Sequence, residues 1–140
     1  MNKEVIISVT GTQLNEYGEV DSQELITTGS YYLKNGAYFI IYSESEVTGM
    51  SGTTTFLKAE PDRVTLNRTG TSRQKQVFES GQRRRANYIT PFGVMYVAVT
   101  PSIVEVNLTD AGGSINLEYV LEVENEKISA NKLSLTVREA

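Results

Sequence analysis

Seven basic residues fall between Arg63 and Arg85 (Arg63, Arg68, Arg73, Lys75, Arg83, Arg84, Arg85), against a single acid, Glu79. The segment carries +6 in a chain of net charge −4, so the remainder carries −10. Guanidinium groups grip carboxylates and phosphates through paired, charge-assisted hydrogen bonds. A basic segment on an acidic chain also sets up a dipolar surface that draws an anionic ligand, a nucleic acid or an acidic protein towards it. Outward-facing strand residues that aid solubility and blunt sheet edges have the same composition.

The run Arg83-Arg84-Arg85 permits a sharper reading. Three consecutive strand residues cannot share one face, so in a strand at least one of these arginines points inward. Phase with Ala86 and Tyr88 assigns Arg84 to the interior beside Tyr88, and a hairpin over Pro91 to Gly93 sets Tyr96 across from Tyr88. An unpaired buried charge costs several kcal/mol. The inward guanidinium therefore needs an internal carboxylate, a place at a barrel mouth where its head reaches water, or the acid group of a small amphipathic ligand. In the last case the apolar part of the ligand would lie against Tyr88, Tyr96 and Tyr119. Arg84, Tyr88, Tyr96 and Tyr119 are thus the candidate ligand-binding residues.

Other chemistry is harder to place. Histidine and cysteine are both absent, which removes the commonest general base, the usual partner of a nucleophilic serine, the thiolate nucleophile and cysteine-ligated metals. Glu44 and Glu46, and likewise Glu122, Glu124 and Glu126, have a spacing that puts carboxylates on one strand face. That would suit glycosidic acid–base work or calcium, but both groups read as solvated strand ends near turns. The sequons Asn67-Arg68-Thr69 and Asn107-Leu108-Thr109 matter only in a secreted protein, and Ala111-Gly112-Gly113-Ser114 lacks the Lys-Ser/Thr of a phosphate loop. Basic residues near Phe78, Tyr88 and Phe92 suggest a strand-binding face for nucleic acid. The pI near 4.9 argues against it, since such domains have pI above about 9. No enzyme activity, cofactor or metal site is expected.

The elements that must position these residues are strands. Val, Ile and Thr occupy 38 of 140 positions, and their branched Cβ packs well on a pleated surface. Val5, Ile7 and Val9 alternate in a first strand, and the polar stretch from Gly11 to Gln23 reads as a loop. Leu25, Tyr31 and Leu33 share a face in a strand over 24–33, Asn35-Gly36 supplies a type I′ turn, and a third strand runs over 37–44. A Gly-containing connection, Thr48 to Gly52, leads to strands over 53–59 and 63–69 around the tight turn Glu60-Pro61-Asp62. Turn signals at Gly70, Gly81 and Pro91–Gly93 then recur about every ten residues. Ile115, Leu117, Tyr119, Leu121 and Val123 alternate with polar residues, turn at Asn125, and lead to Leu133, Leu135 and Val137. No apolar period of 3.6 persists beyond two turns. The pattern predicts one all-β domain over 1–140, an antiparallel closed barrel of about eight to ten strands, with a two-layer β-sandwich as the alternative.

The runs Thr27-Thr28-Gly29-Ser30-Tyr31-Tyr32-Leu33, Asn87-Tyr88-Ile89-Thr90-Pro91-Phe92-Gly93, Met95 to Thr100 and Gly113 to Tyr119 resemble the YwiB-like family of small bacterial proteins. That resemblance implies a calycin-like, lipocalin-like β-barrel of unassigned function, and no catalytic residues. The Gly-X-Trp signature of the lipocalins themselves is missing, because the chain has no tryptophan.

The N-terminal apolar run is too short for a signal-peptide core, and no stretch approaches the ~20 apolar residues of a membrane helix. A cytoplasmic protein with no membrane association is therefore expected. Its expected role is that of a non-enzymatic barrel binding a small amphipathic or anionic molecule in or at the mouth of its interior. The alternative is a protein-interaction module that sets region 63–85 against an acidic partner.

Overall fold

The computed structural model describes residues 2–45 and 50–140. Glu46, Thr48 and Gly49, read above as part of a carboxylate pair and of a connection, lie outside the described residues. Ten strands follow one another: β1 (Lys3–Asn15), β2 (Val20–Lys34), β3 (Ala37–Ser43), β4 (Thr53–Glu60), β5 (Arg63–Gly70), β6 (Arg73–Glu79), β7 (Arg84–Thr90), β8 (Gly93–Thr109), β9 (Gly112–Val123) and β10 (Glu126–Glu139). Each is antiparallel to the one before, and β1 pairs with β10 to close the sheet into a barrel. Closure removes the two edges that a ten-strand sheet would otherwise expose, and it sets the sandwich alternative aside. Among the described residues no helix is long and apolar enough to cross a membrane.

Turn chemistry fixes the registers. Asn35 and Gly36 adopt φ of 52° and 79°, the left-handed pair a type I′ hairpin demands, so Leu33 falls opposite Tyr38 and Tyr31 opposite Ile40. Glu124 and Asn125 make an equivalent turn between β9 and β10, with φ of 51° and 68°. An irregularity between Pro101 and Ile103 in β8 shifts the register by one. Val97 and Val99 before it, and Val104, Val106 and Leu108 after it, can therefore all face inward.

The stretch from Gly11 to Gln23 is not a loop. β1 extends to Asn15 and β2 begins at Val20, with Gly11 opposite Gln23 and Gln13 opposite Asp21. Asn15 holds the four-residue connection, its Oδ1 accepting from the backbone N–H of Tyr17 and of Glu19, both at 2.9 Å. The inward positions here are polar, so the hydrophobic alternation that marks a strand disappears while the pairing persists. Gln13 donates to Ser129 Oγ at 3.1 Å, and Asn131 donates to the same oxygen at 2.9 Å.

The interior accordingly has two halves. Val5, Ile7, Tyr31, Ile40, Leu57, Val64, Ile115, Leu117, Leu135 and Val137 pack one end with almost no exposure. Tyr31 and Tyr38 stack at 5.1 Å across that end, their hydroxyls donating to the Thr109 carbonyl (2.7 Å) and Asp110 Oδ1 (2.9 Å). Leu33 keeps the predicted phase but lies beyond this filled end and is exposed. Gly29 makes the tight fit possible, because a Cβ there would collide with the Ile41 carbonyl oxygen and the Ile7 side chain. Gly29→Ala should lower stability by about 1–3 kcal/mol, the usual cost of overpacking, and appear as a lower urea midpoint. An unchanged midpoint would show that β2 and β3 can separate at this point.

Candidate functional site

The other half of the barrel is built around an arginine. On β5 the inward positions are Val64, Leu66 and Arg68. On the neighbouring strands Tyr42, Thr55 and Gln74 face the same interior. The Arg68 side chain is only 19% exposed. Its Nη1 donates to Gln74 Oε1 at 3.0 Å, and its Nε lies 3.8 Å from Glu44 Oε2, outside hydrogen-bond range. That Nε is buried and has no hydrogen-bond partner among the described residues.

Glu44 follows β3 in phase with Ile40 and Tyr42, and its side chain is 2% exposed. Thr55 Oγ1 donates to its carboxylate, and its backbone N–H donates to the Thr53 carbonyl at 2.8 Å. The expectation that Glu44 is a solvated strand-end acid is thus corrected: the residue continues the inward face and serves as the internal counter-charge of Arg68. Two phenols face the same guanidinium. Burial and the adjacent Glu44 carboxylate push Tyr42 well above the ordinary tyrosine range, Arg68 pulling the other way. Burial likewise raises Tyr119, again opposed by Arg68.

Two hollows meet at Arg68. One, of about 250 Å³, is lined by Leu66, Arg68, Gln74, Gln76, Phe78, Tyr88, Met95, Val97, Val99, Tyr119, Leu121, Val123 and Leu133. The other, of about 110 Å³, reaches Leu25, Tyr42, Glu44 and Met50, and shares Leu66, Arg68 and Leu133 with the first. Phe78 and Tyr119 meet edge to face at 5.0 Å. A mostly apolar chamber with a few convergent polar groups is the usual form of a small-molecule site. Among the described residues no group of three or more His, Cys, Asp or Glu side chains is placed to hold a metal.

The barrel wall beside this chamber is incomplete. β6 and β7 share only two residue pairs, Arg73–Ile89 and Gln74–Tyr88, whereas β5 and β6 share six and β7 and β8 seven. Over the rest of this seam Gln76 bridges the gap with its side chain, Nε2 donating to the Arg84 carbonyl at 3.2 Å.

Of the four residues singled out in the sequence, the structure brings Tyr88 and Tyr119 together in the large chamber. Arg84 is corrected. It has the inward phase, opposite Val99, but it begins its strand at the open seam. Its side chain, 47% exposed, pairs there with the β6 residue Glu79. β7 starts only at Arg84, so Arg83 lies outside the strand and the run does not force an arginine inward; the inward guanidinium is Arg68, on β5. Tyr96 is corrected as well. The Thr90–Gly93 hairpin sets Met95, not Tyr96, opposite Tyr88, and Tyr96 stands on the outer face at 59% exposure. Arg68, Glu44, Gln74 and Gln76 were missed. For Arg68 the signal was present in the period-two series Val64, Leu66, Arg68, and for Glu44 in Ile40, Tyr42, Glu44.

The fold and its half-filled interior define a small, closed, up-and-down β-barrel with an internal chamber. The chain belongs to the family described as Domain of unknown function (DUF1934), whose match spans residues 7–135. It is 24% identical over 123 residues to the "Uncharacterized beta-barrel protein YwiB" of Bacillus subtilis (strain 168), covering 88% of this chain and 85% of that protein. The crystal structure of ywiB protein from Bacillus subtilis superposes with a TM-score of 0.89 over 99% of this chain and 93% of that one, at 21% identity. At that identity the structural likeness is one of fold.

The raised phenols give the site a pH signature. An unfolded tyrosine ionises near pH 10, while folded Tyr42 and Tyr119 hold their protons to higher pH. Above about pH 10 the unfolded state therefore binds fewer protons than the folded one. The stabilisation is complete below that pH and is lost as pH rises towards the folded values. Urea unfolding between about pH 9 and 11 should show stability falling less steeply in Tyr42→Phe than in the wild type. Equal slopes would mean that Tyr42 ionises like a free tyrosine.

Proposed function

We propose that this barrel is a non-enzymatic binding protein that holds a small amphipathic acid in its interior, in the manner of a calycin-like barrel. The acid group sits on Arg68, and the apolar body lies against Phe78, Tyr88, Val97, Val99, Leu121 and Val123. One observation carries the reading: among the described residues Arg68 Nε is a charged donor buried without a hydrogen-bond partner, and Arg68 lines a largely apolar chamber. Leaving such a donor unmet is costly, and natural proteins rarely do so without a reason. Glu44 supports the reading too, because it balances the guanidinium when the chamber is empty without occupying Nε. The missing histidine and cysteine favour binding over catalysis. The lack of cysteine also suits the cytoplasm, the compartment we assign.

Arg68→Gln removes the charge and keeps a polar side chain of similar reach. Native mass spectrometry of freshly purified wild-type protein should show a stoichiometric small acidic adduct, absent from an Arg68→Gln variant with an unchanged far-ultraviolet circular dichroism spectrum. With an added acid, the variant should bind about 10- to 100-fold more weakly, the worth of one charge-assisted hydrogen bond. Wild-type protein that is repeatedly empty and binds no organic acid would sink this reading.

A second reading, a module that engages an acidic partner, has an observation of its own. Phe92 is 99% exposed at the β7–β8 tip, with Val94 and Tyr96 also exposed behind it on the outer face. Four of the seven basic residues are already committed, Arg63 to Glu60, Arg68 to Glu44, Arg83 to Glu122 and Arg84 to Glu79. That leaves Arg73, Lys75 and Arg85 for a partner. Salt-sensitive binding to polyglutamate that disappears in Arg73→Glu/Lys75→Glu would favour this reading, and no binding at low salt would end it.

A further inference from the structure

Gln76 is 1% exposed. It lies opposite Leu66 while Gln74 lies opposite Arg68, so Arg68 and Gln76 are diagonal neighbours on one inward face, about 7–8 Å apart at the backbone. Its two amide atoms are not interchangeable. Nε2 donates to the Arg84 carbonyl across the β6–β7 seam at 3.2 Å, and a flipped amide would set two oxygens against each other there. Oε1 is thereby fixed as an acceptor. It is buried and has no hydrogen-bond partner, and Gln76 lines the same chamber as Arg68.

Two residues that line the chamber thus carry buried polar atoms of opposite kind with no hydrogen-bond partner among the described residues: a cationic donor at Arg68 Nε and a neutral acceptor at Gln76 Oε1. A plain hydrocarbon acid satisfies the first and leaves the second desolvated against its own apolar body. A ligand with an acid group and, separately, a hydroxyl or N–H donor satisfies both. The walls between and around them are aromatic and branched: Phe78, Tyr88, Tyr119, Val97 and Val99.

We propose that Gln76 is the specificity-determining residue of the chamber and that the ligand is a hydroxylated or amide-bearing organic acid with an aromatic or branched body. The inference rests on the binding role given to Arg68 above. It assigns Gln76 the discrimination between acids that carry a donor and those that do not. A site built to hydrogen-bond a hydroxyl discriminates strongly against an analogue lacking it, because the protein acceptor is then left unpaired.

The test uses the full chain and four probes, 3-phenylpropionate and its 2-, 3- and 4-hydroxyphenyl analogues, which carry the donor to different distances from the acid. Titration calorimetry should show one hydroxylated probe binding at least tenfold more tightly than 3-phenylpropionate. Gln76→Met, which keeps side-chain length but no polar atom, should bring the two within about twofold of each other. Equal wild-type affinities for all four probes would overturn the proposal, since a water would then be serving Oε1 in every complex. A preference that survives in Gln76→Met would overturn it too. Should Gln76→Met not fold, the wild-type comparison decides alone. If none of the four probes binds, or if binding is the same in Arg68→Gln, the role of Arg68 fails and this proposal with it. Binding that depends on Arg68 but is indifferent to the hydroxyl removes only the role of Gln76.

Discussion

Closing a sheet on itself forces every second residue of every strand into one shared volume, and the rest of this structure follows from how that volume is occupied. The β1–β10 pairing that makes the closure leaves no free edge, so the period-two alternation becomes a strict partition between inside and outside. At one end the inward residues are Val5, Ile7, Ile40, Leu57, Val64, Ile115, Leu117, Leu135 and Val137, and they exclude water. At the other end the same parity delivers Gln13, Gln23, Glu44, Arg68, Gln74, Gln76 and Asn131. Polar side chains cannot close-pack a barrel without partners. They pair where they can, and the chamber lies between Arg68, Gln74 and Gln76 on one side and the apolar side chains of β8 and β9 on the other.

Within that chamber electrostatics outweigh packing. Arg68 and Glu44 neutralise each other at 3.8 Å, a separation that lowers the cost of burying both charges while leaving the guanidinium Nε without a hydrogen bond. A tighter pair would be a purely structural salt bridge. Thr55 occupies the carboxylate and Gln74 one guanidinium nitrogen, so among the described residues Nε faces Glu44 at 3.8 Å without a hydrogen bond. Tyr42 and Tyr119 hold their protons because both phenols are desolvated, with Glu44 adding to this at Tyr42, and the attraction of Arg68 does not offset it.

The β6–β7 seam links the interior to the basic surface. With two residue pairs holding it, the wall there depends on side chains, Gln76 to the Arg84 carbonyl and Arg84 to Glu79. Arg84 therefore shapes the chamber from outside, through its backbone carbonyl and its ion pair. The exposed Phe92, Val94 and Tyr96 stand on the adjacent hairpin, so the apolar patch and the basic residues occupy the same flank of the barrel as the seam.

Much of the fold was written in local sequence. Asn35-Gly36, Pro61-Asp62 and Pro91-Phe92 set turns, alternation set faces, and regular turn spacing implied a meander that had to close. The residues 11–23 were unreadable because their inward positions are polar, so strand and loop look alike until β10 and β2 are seen to pair with them. Tyr88 and Tyr119 were legible as inward residues; the inward arginine was not, because the run 83–85 from which it was expected lies partly outside β7. Which arginine it is was decided by tertiary structure. The splayed seam turns Arg84 out to Glu79, whereas Arg68 sits on a fully paired strand with no way out. Alternation and turn spacing were enough to point to an all-β barrel. The packed structure was needed to show that Arg68 is the inward basic group and that its Nε and the neighbouring Gln76 Oε1 find no hydrogen-bond partner among the described residues, because such facts depend on contacts among strands far apart in the chain.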